Sequence, residues 1–500
     1  MALATVHSRA QTGLEAPPVT VEVDLSPGLP ALTIVGLPET AVKESKDRVR
    51  AAINNSGYSF PRRRLTINLA PADLPKEGGR FDLAIALGIL AASAQIPAAV
   101  LDQYEFLGEL SLTGHLRSVR GALPAAMAVQ QCGRKLVVPA SNGAEVALAG
   151  AAHARVADHL VDVVASLVAE PVWQQPAVPA AQEQTLAALD MADVRGQHQA
   201  RRALEIAAVG GHSLLMSGPP GSGKTMLASR LPGLLPPMTR EQCLQAAAIA
   251  SVSTSGFQLA QWGVRPFRAP HHTASGVALV GGGSNPRPGE ITLAHGGVLF
   301  LDELPEFERR VLEVLREPLE SGQITISRAA RQAEFPAAFQ LVAAMNPCPC
   351  GYLGDTSGRC NCTPERIERY RGRISGPLLD RIDMHLQVTP VEHEVLLESA
   401  HRAENSASIR ARVRAARQRA EARGHAYNAG LRVREIDRHC PLADDARRVI
   451  EQAMLRLNLS ARAYHRIVRV ARSIADLAAS ETIAAQHVAE AIGFRQFDRG

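Results

Sequence analysis

Gly218-Pro219-Pro220-Gly221-Ser222-Gly223-Lys224-Thr225 matches the phosphate-binding loop pattern position for position, directly after the apolar run Leu214-Leu215-Met216. This spacing supports the holding of a nucleoside triphosphate. The glycines let successive backbone N–H groups turn toward phosphate oxygens, Lys224 reaches the β- and γ-phosphates, and the Thr225 hydroxyl ligates Mg²⁺. A helix opening at Lys224 adds a dipole that favours anions. Lys224 is one of only five lysines, against 49 arginines, a bias that a GC-rich genome explains as simply as function does. Seventy-eight residues after Lys224, the apolar run Val298-Leu299-Phe300-Leu301 leads into Asp302 and Glu303. That is the form of a buried strand delivering two carboxylates to its carboxyl end, a Walker B sequence. Asp302 would hold Mg²⁺ through water, and Glu303 would polarise the water that attacks the γ-phosphate.

A further apolar run, Phe339–Met345, ends at Asn346, whose amide either orients the attacking water or merely starts the turn before Pro347. Cys348, Cys350, Cys360 and Cys362 follow within fifteen residues. Four soft ligands that close are enough for one tetrahedral structural Zn²⁺, although Cys-x-Cys is tighter than the usual spacing of such pairs; the alternative is four free thiols. Cys132, Cys243 and Cys440 are isolated and read as core thiols. His271-His272 has no third ligand nearby and reads as part of a loop rather than a metal site.

The elements that must position these groups follow from composition and periodicity. A chain of 500 residues, 46% apolar and 21% charged, suggests about three ordinary globular domains. Residues 1–168 mix short β-rich runs (Val19–Leu25, Leu65–Leu69, Leu136–Pro139) with alanine-rich helical stretches, an α+β or α/β domain. Residues 169–188, rich in Pro, Gln and Ala, read as a linker. Residues 189–390 alternate helix and strand around the phosphate loop, the grammar of a parallel sheet covered by helices. Residues 391–500 are helical, for example Ile409–Ala422 and Ala461–Ala478. The fold class is therefore α/β multidomain. Net charge is +5, and residues 401–500 carry 19 arginines against 11 acidic residues. Such a surplus either faces nucleic-acid phosphates or belongs to solvated helix faces. No signal-like segment opens the chain, and its most apolar stretch, from Asp82 to Leu101, is interrupted by Gln95 and Pro97. It reads as a core helix in a cytoplasmic protein without membrane contact, and the cysteine pattern fits a reducing compartment.

With these motifs in this order, residues 189–500 resemble AAA+ ATPases of the magnesium-chelatase-like group. The resemblance implies that Asn346 is sensor 1. Ser375–Asp383 resembles the arginine-finger segment, which puts Arg381 into a neighbouring subunit's active site. Ser460-Ala461-Arg462, with Ser460 as a helix cap, resembles sensor 2 and brings Arg462 to the γ-phosphate of its own subunit. The stretches Pro266–Thr273 and Gly281–Gly289 resemble the helix-2 insertion of this group. Gly322–Phe335 alternates enough to be a hairpin, with Arg328 and Arg331 near its tip, set either against a phosphate backbone in a ring pore or in a solvated turn. Further upstream, Pro75–Ala84 and Gly108–Gly121 resemble the Lon protease domain, but the nucleophilic serine falls near Arg80 and the lysine near Ala122 or Leu123. This Lon-like domain is degenerate and proteolysis is not expected. The whole order resembles the YifB/ComM family. That resemblance implies an ATP- and Mg²⁺-dependent homo-hexameric ring helicase, promoting branch migration on single-stranded or branched DNA in natural transformation. The alternatives are a protein-remodelling or chelatase-type motor, and a nucleotide-dependent scaffold, against which the intact Asp302–Glu303 pair argues.

Overall fold

The computed structural model describes residues 2–36, 42, 44–74, 76–169, 173–177, 189–283, 286–328, 331–354, 358–391, 403–457 and 459–495. Most of the expected linker, the first residues after 391 and the tip between Arg328 and Arg331 lie outside them.

The amino-terminal domain is built on a mixed seven-stranded sheet of order β3-β4-β2-β1-β5-β8-β9. Its strands are β1 (Ala2–Arg9), β2 (Pro18–Ser26), β3 (Ala31–Val35), β4 (Arg64–Ala70), β5 (Tyr104–Phe106), β8 (Lys135–Pro139) and β9 (Ala154–Ala157); β6 (Glu109–Leu110) and β7 (Leu116–Arg117) form a separate small hairpin. β1 escapes the sequence reading because its buried face consists of Ala4, Val6 and Ser8, whereas the large apolar Leu3 points outward, 64% exposed. Inward residues this small leave little hydrophobic alternation to detect. The helices are α1 (Ser45–Asn55), α2 (Asp82–Ala92), α3 (Ala122–Val129), α4 (Gly143–Gly150) and α5 (Leu160–Val168). α2 is the first half of the apolar stretch Asp82 to Leu101 expected to be a core helix; it is buried over its whole length but ends at Ala92, ahead of Gln95 and Pro97. Gly88 lets it approach the sheet, since a Cβ there would stand 2.6 Å from Val23 Cγ2.

The central domain holds a five-stranded, all-parallel sheet of order β11-β14-β17-β10-β18. These strands are β10 (Leu214–Ser217), β11 (Phe267–Arg268), β14 (Val298–Leu301), β17 (Gln340–Met345) and β18 (Met384–Gln387). β10, β14 and β17 are buried throughout, as strands covered on both faces must be. Two antiparallel ribbons leave the domain, β12 (Gly281–Gly282) with β13 (Arg287–Pro288), and β15 (Gln323–Arg328) with β16 (Arg331–Pro336). The helices named below are α6 (His198–Gly210), α7 (Lys224–Leu234), α8 (Arg240–Val252) and α9 (Pro364–Arg371). The capping box of Thr239 and Gln242 starts α8.

Past residue 403 lie α10 (Ser406–Ala422), α11 (Val433–His439), α12 (Asp444–Leu457), α13 (Ala461–Leu477) and α14 (Ala485–Gly493). They do not form a core of their own. Ile409, Val413, Ile467, Val470 and Ile474 belong to one apolar cluster with Leu214, Met216, Phe300 and Val342 of the sheet. Much of the basic surplus is consumed here. Arg412 pairs with Glu205 and Glu404, Arg423 and Arg472 with Asp476, Arg417 donates to the Ala208 carbonyl, and Arg495 to the Ile382 carbonyl.

The amino-terminal domain is docked on the central one at two places. Leu123 of α3 and Leu148 of α4 cluster with Ala247 and Ala248 of α8, the Gly121 N–H donates to the Ser251 carbonyl at 3.0 Å, and Arg240 donates to the Leu148 carbonyl at 3.1 Å. At the second, the turn between β1 and β2 meets β16, with the Gly13 Cβ position 3.4 Å from Ala333 Cβ. Ala122 and Leu123, where a Lon-type lysine would stand, are fully buried, and Leu123 forms part of this contact.

Asp383 ties the carboxy-terminal helices to the sheet. It takes a short charged hydrogen bond from Arg466 of α13 and another from the Ser213 N–H at 3.2 Å, with His212 Nδ1 at 3.5 Å. Burial by itself would raise its carboxyl pKa; the Arg466 guanidinium and the bonds from His212 and Ser213 outweigh that and hold it far below the usual carboxylate range. A carboxyl depressed in the folded state adds stability above its unfolded pKa, about 4, and loses it as pH falls below that. Asp383→Ala is expected to cost about 3 kcal/mol in urea unfolding at pH 7, and to flatten the loss of stability on acidification below pH ~4.

Candidate nucleotide-hydrolysis site

A parallel sheet sends every strand's carboxyl end to one edge, and the order of this sheet sets β17 between β10 and β14. The phosphate loop, Asn346 and the Asp302–Glu303 pair therefore emerge side by side. Lys224 Nζ donates to the Gly218 carbonyl at 2.7 Å, the Pro219 carbonyl at 2.9 Å and Asn346 Oδ1 at 3.3 Å. Burial lowers the pKa of Lys224, and the Asp302 and Glu303 carboxylates oppose that shift. Thr225 Oγ1 donates to Asp302 Oδ2 at 2.7 Å. Gly218 is required on steric grounds, since a Cβ there would sit 2.2 Å from the Val388 carbonyl oxygen. Gly221 and Gly223 take the left-handed region at φ +75° and +89°.

This arrangement fits a nucleoside triphosphate with Mg²⁺. Among the described residues Ser222 Oγ is buried without a partner, an orphan polar atom inside an anion-binding loop. Lys224 satisfies itself on three uncharged oxygens, which phosphate oxygens would replace. Thr225 and Asp302 offer the paired hard oxygens that Mg²⁺ prefers.

Glu303 is held in a left-handed conformation at φ +53°, a strain that non-glycine residues tolerate mainly at functional sites. Its carboxylate is half exposed and lies 3.0 Å from His272 Nδ1. His272, a loop residue outside any metal cluster among the described residues as expected, nevertheless adjoins the site; the contact joins two separate loops, and no local pattern announces it. Gln197 was also missed. Just ahead of α6 at φ +52°, its amide donates to the Ser222 carbonyl at 3.2 Å and the Thr389 carbonyl at 2.7 Å, so it braces the phosphate loop against the end of β18.

Of the two arginines assigned by resemblance, Arg381 to a neighbouring subunit's site and Arg462 to its own, neither is bonded to the phosphate loop among the described residues. Arg381 precedes β18, so it lies at the amino edge of the sheet, opposite the phosphate loop. Its guanidinium, 10% exposed, is held by Glu320 and by the Pro377 carbonyl at 2.7 Å. Arg462 is exposed in the first turn of α13 and forms no ion pair among the described residues. Ser460 does cap that helix, accepting from the Ala463 N–H at 3.2 Å. The other fixed points of α13, Arg466 on Asp383 and Ser473 on His212, are at the amino edge too. Arg328 and Arg331 face each other as the last described pair of the β15–β16 hairpin; their side chains lie outside the described residues.

The four clustered cysteines come together, with Sγ atoms all within 4.8 Å of one another. Cys348 Sγ is 3.3 Å from Cys350 and 3.8 Å from Cys360, and Cys350 is 3.6 Å from Cys360. Zn–S bonds of about 2.3 Å give a tetrahedron with S···S edges of about 3.8 Å, so the spacing fits one Zn²⁺. Of the isolated cysteines, Cys243 and Cys440 are buried as expected, but Cys132 is exposed. Its place at the rim of the amino-terminal sheet, beside Arg9, removes it from the core.

The chain is similar in sequence to known proteins over its whole length. Residues 190–396 match the family described as magnesium chelatase, subunit ChlI; residues 21–142 match subunit ChlI of Mg-chelatase, and residues 403–495 its C-terminal family. Proteins named YifB from Salmonella typhimurium and Escherichia coli are each 51% identical over 499 residues, covering 100% of this chain and 98% of theirs. Competence protein ComM of Haemophilus influenzae is 50% identical over 506 residues, with the same coverage. A parallel-sheet phosphate-loop core of this order, with adjoining carboxylates and a helical carboxy-terminal domain, defines a magnesium-chelatase-like AAA+ ATPase. Within that class the chain belongs to the YifB/ComM family. Among the described residues no helix is long and apolar enough to cross a membrane.

Glu303→Gln is expected to keep ATP affinity and lower turnover by about 10²–10⁴-fold, measured as nucleotide binding and phosphate release on the same preparation. His272→Ala should lower kcat less and leave KM for ATP unchanged; an unaltered kcat would remove His272 from the site.

Proposed function

We propose that this protein is a cytoplasmic ATP-driven ring motor, assembled as a homo-hexamer, that moves on single-stranded or branched DNA as a helicase or branch-migration factor in natural transformation and recombination. The observation that carries it is the division of catalytic groups between opposite edges of one sheet. Lys224, Thr225, Asp302, Glu303 and Asn346 converge at the carboxyl edge, while Arg381 stands at the amino edge. A guanidinium there is remote from its own chain's nucleotide; in a closed ring, once released from Glu320, it would reach the nucleotide of the next copy.

Each residue then has a task. The glycine-rich loop Gly218–Gly223 and Lys224 bind the phosphates, and Thr225 and Asp302 hold Mg²⁺, which neutralises charge on the phosphate oxygens. Glu303 accepts a proton from the attacking water, with Asn346 fixing that water's orientation and His272 fixing Glu303. Arg381 of the neighbouring copy stabilises charge as it develops. Arg462, exposed in the first turn of α13, is assigned to the γ-phosphate of its own subunit, which requires α13 to approach the phosphate loop when nucleotide binds. The four cysteines, Cys348, Cys350, Cys360 and Cys362, hold one structural Zn²⁺.

DNA as the partner is supported by similarity to a competence protein over the whole chain and by the arginine pair that closes the β15–β16 hairpin. The carboxy-terminal arginine surplus supports it less, because many of those side chains turn inward. The amino-terminal domain is Lon-protease-like, with Arg80 in place of the serine and a buried apolar residue in place of the lysine. It serves as a docked structural unit rather than a protease. A protein-remodelling or chelatase-type motor is the alternative, favoured if a protein and not DNA stimulates turnover.

Arg381→Ala and Lys224→Ala are each expected to lower hydrolysis by on the order of 10³-fold. Mixing the two variants should restore part of it, because a copy with intact Lys224 then adjoins one with intact Arg381. No recovery on mixing, or full activity in Arg381→Ala alone, overturns the shared site. For the DNA reading, forked DNA is expected to raise the ATPase rate, with affinity falling linearly in log salt; indifference to DNA sinks it.

A further inference from the structure

The loop that carries the cysteines is built onto the ATP site. Cys348 stands two residues after Asn346 and is fully buried. Gly351, at φ +86°, lies flat against the phosphate loop: a Cβ there would be 2.7 Å from Pro220 Cδ and 3.9 Å from Asn346 Cγ. Behind it, α9 closes the other side. Arg371 Nη2 donates to the Pro347 carbonyl at 3.3 Å. The Tyr370 hydroxyl bonds to the Asn346 backbone, and burial pushes its pKa up to about 12.

A segment of irregular backbone holds such a position only when something fixes its own shape. Apart from Tyr352, whose ring lies 4.4 Å from the Arg359 guanidinium, residues 348–362 contribute no large apolar side chain except Leu353, which is 36% exposed, so packing alone holds the segment weakly. Four converging thiols can fix it, once they share an ion.

We infer that the Cys348–Cys350–Cys360–Cys362 metal site is a strut of the ATP pocket, which sets Pro220 of the phosphate loop and the Asn346 amide through Gly351. This rests on the reading that the four cysteines hold Zn²⁺. Removing the ion lets residues 348–362 relax, which frees Pro220 on one side and Asn346 on the other. Nucleotide affinity and turnover both suffer, although no cysteine touches nucleotide.

The test uses the full chain and three readouts: zinc content by elemental analysis, affinity for a fluorescent ADP analogue, and kcat. Wild type should carry one zinc per chain. Cys360→Ala should lose it, with nucleotide affinity and kcat each falling about 10- to 100-fold, whereas Cys360→His, which restores a ligand, should recover all three. Gly351→Ala is expected to keep its zinc while its methyl group displaces Pro220, lowering ADP affinity about tenfold. Wild type without zinc defeats the metal reading and the strut with it. Wild type with zinc, together with a Cys360→Ala chain that has lost zinc yet binds ADP and turns over ATP normally, defeats the strut alone. Should Gly351→Ala shed its zinc, the Cys360 pair of variants decides.

Discussion

The site depends on one topological constraint, the lodging of β17 between β10 and β14. Without it the phosphate loop and the Asp302–Glu303 pair would be adjacent, with no place for a polar group between them. With it, Asn346 reaches Lys224 Nζ at 3.3 Å while Thr225 still meets Asp302 at 2.7 Å. Three strands thus deliver a cation, an amide and two carboxylates to one small volume. Regular backbone fixes the relative positions of their carboxyl ends more tightly than loops alone could.

The same parallel geometry explains what the site lacks. Groups carried at the amino edge, such as Arg381 and the Asp383–Arg466 pair, are separated from the phosphate loop by the length of the strands. Arg381 is held there by Glu320, while Asp383 takes Arg466 of α13 and the Ser213 N–H just before β10. One sheet therefore presents a phosphate-loop edge and an opposite edge of paired charges.

Much of this was legible in the sequence wherever the signal is local. The phosphate loop, the run into Asp302 and Glu303, the hairpin of residues 323–336 and the cap at Ser460 are each written within a few consecutive residues, and each formed as expected. What escaped depends on partners distant in the chain. His272 becomes a site residue only because its loop folds over Glu303, and Gln197 only because α6 begins beside the phosphate loop. The arginines of residues 401–500 looked like a basic surface because their acceptors, among them Glu205 and the Ala208 carbonyl, lie some two hundred residues earlier. Cys132 failed for the converse reason: nothing near it in sequence reports that its turn lies at a rim.

The carboxy-terminal helices and the sheet share a single apolar interior, with Ile467 and Ile474 packed among Met216, Phe300 and Val342. A lever whose root is embedded in its own fulcrum cannot swing freely on it without opening dry, close-packed contacts. In the proposed ring, chemical work done at the carboxyl edge would then leave each copy as a tilt of the whole body, felt first where that body abuts its neighbours.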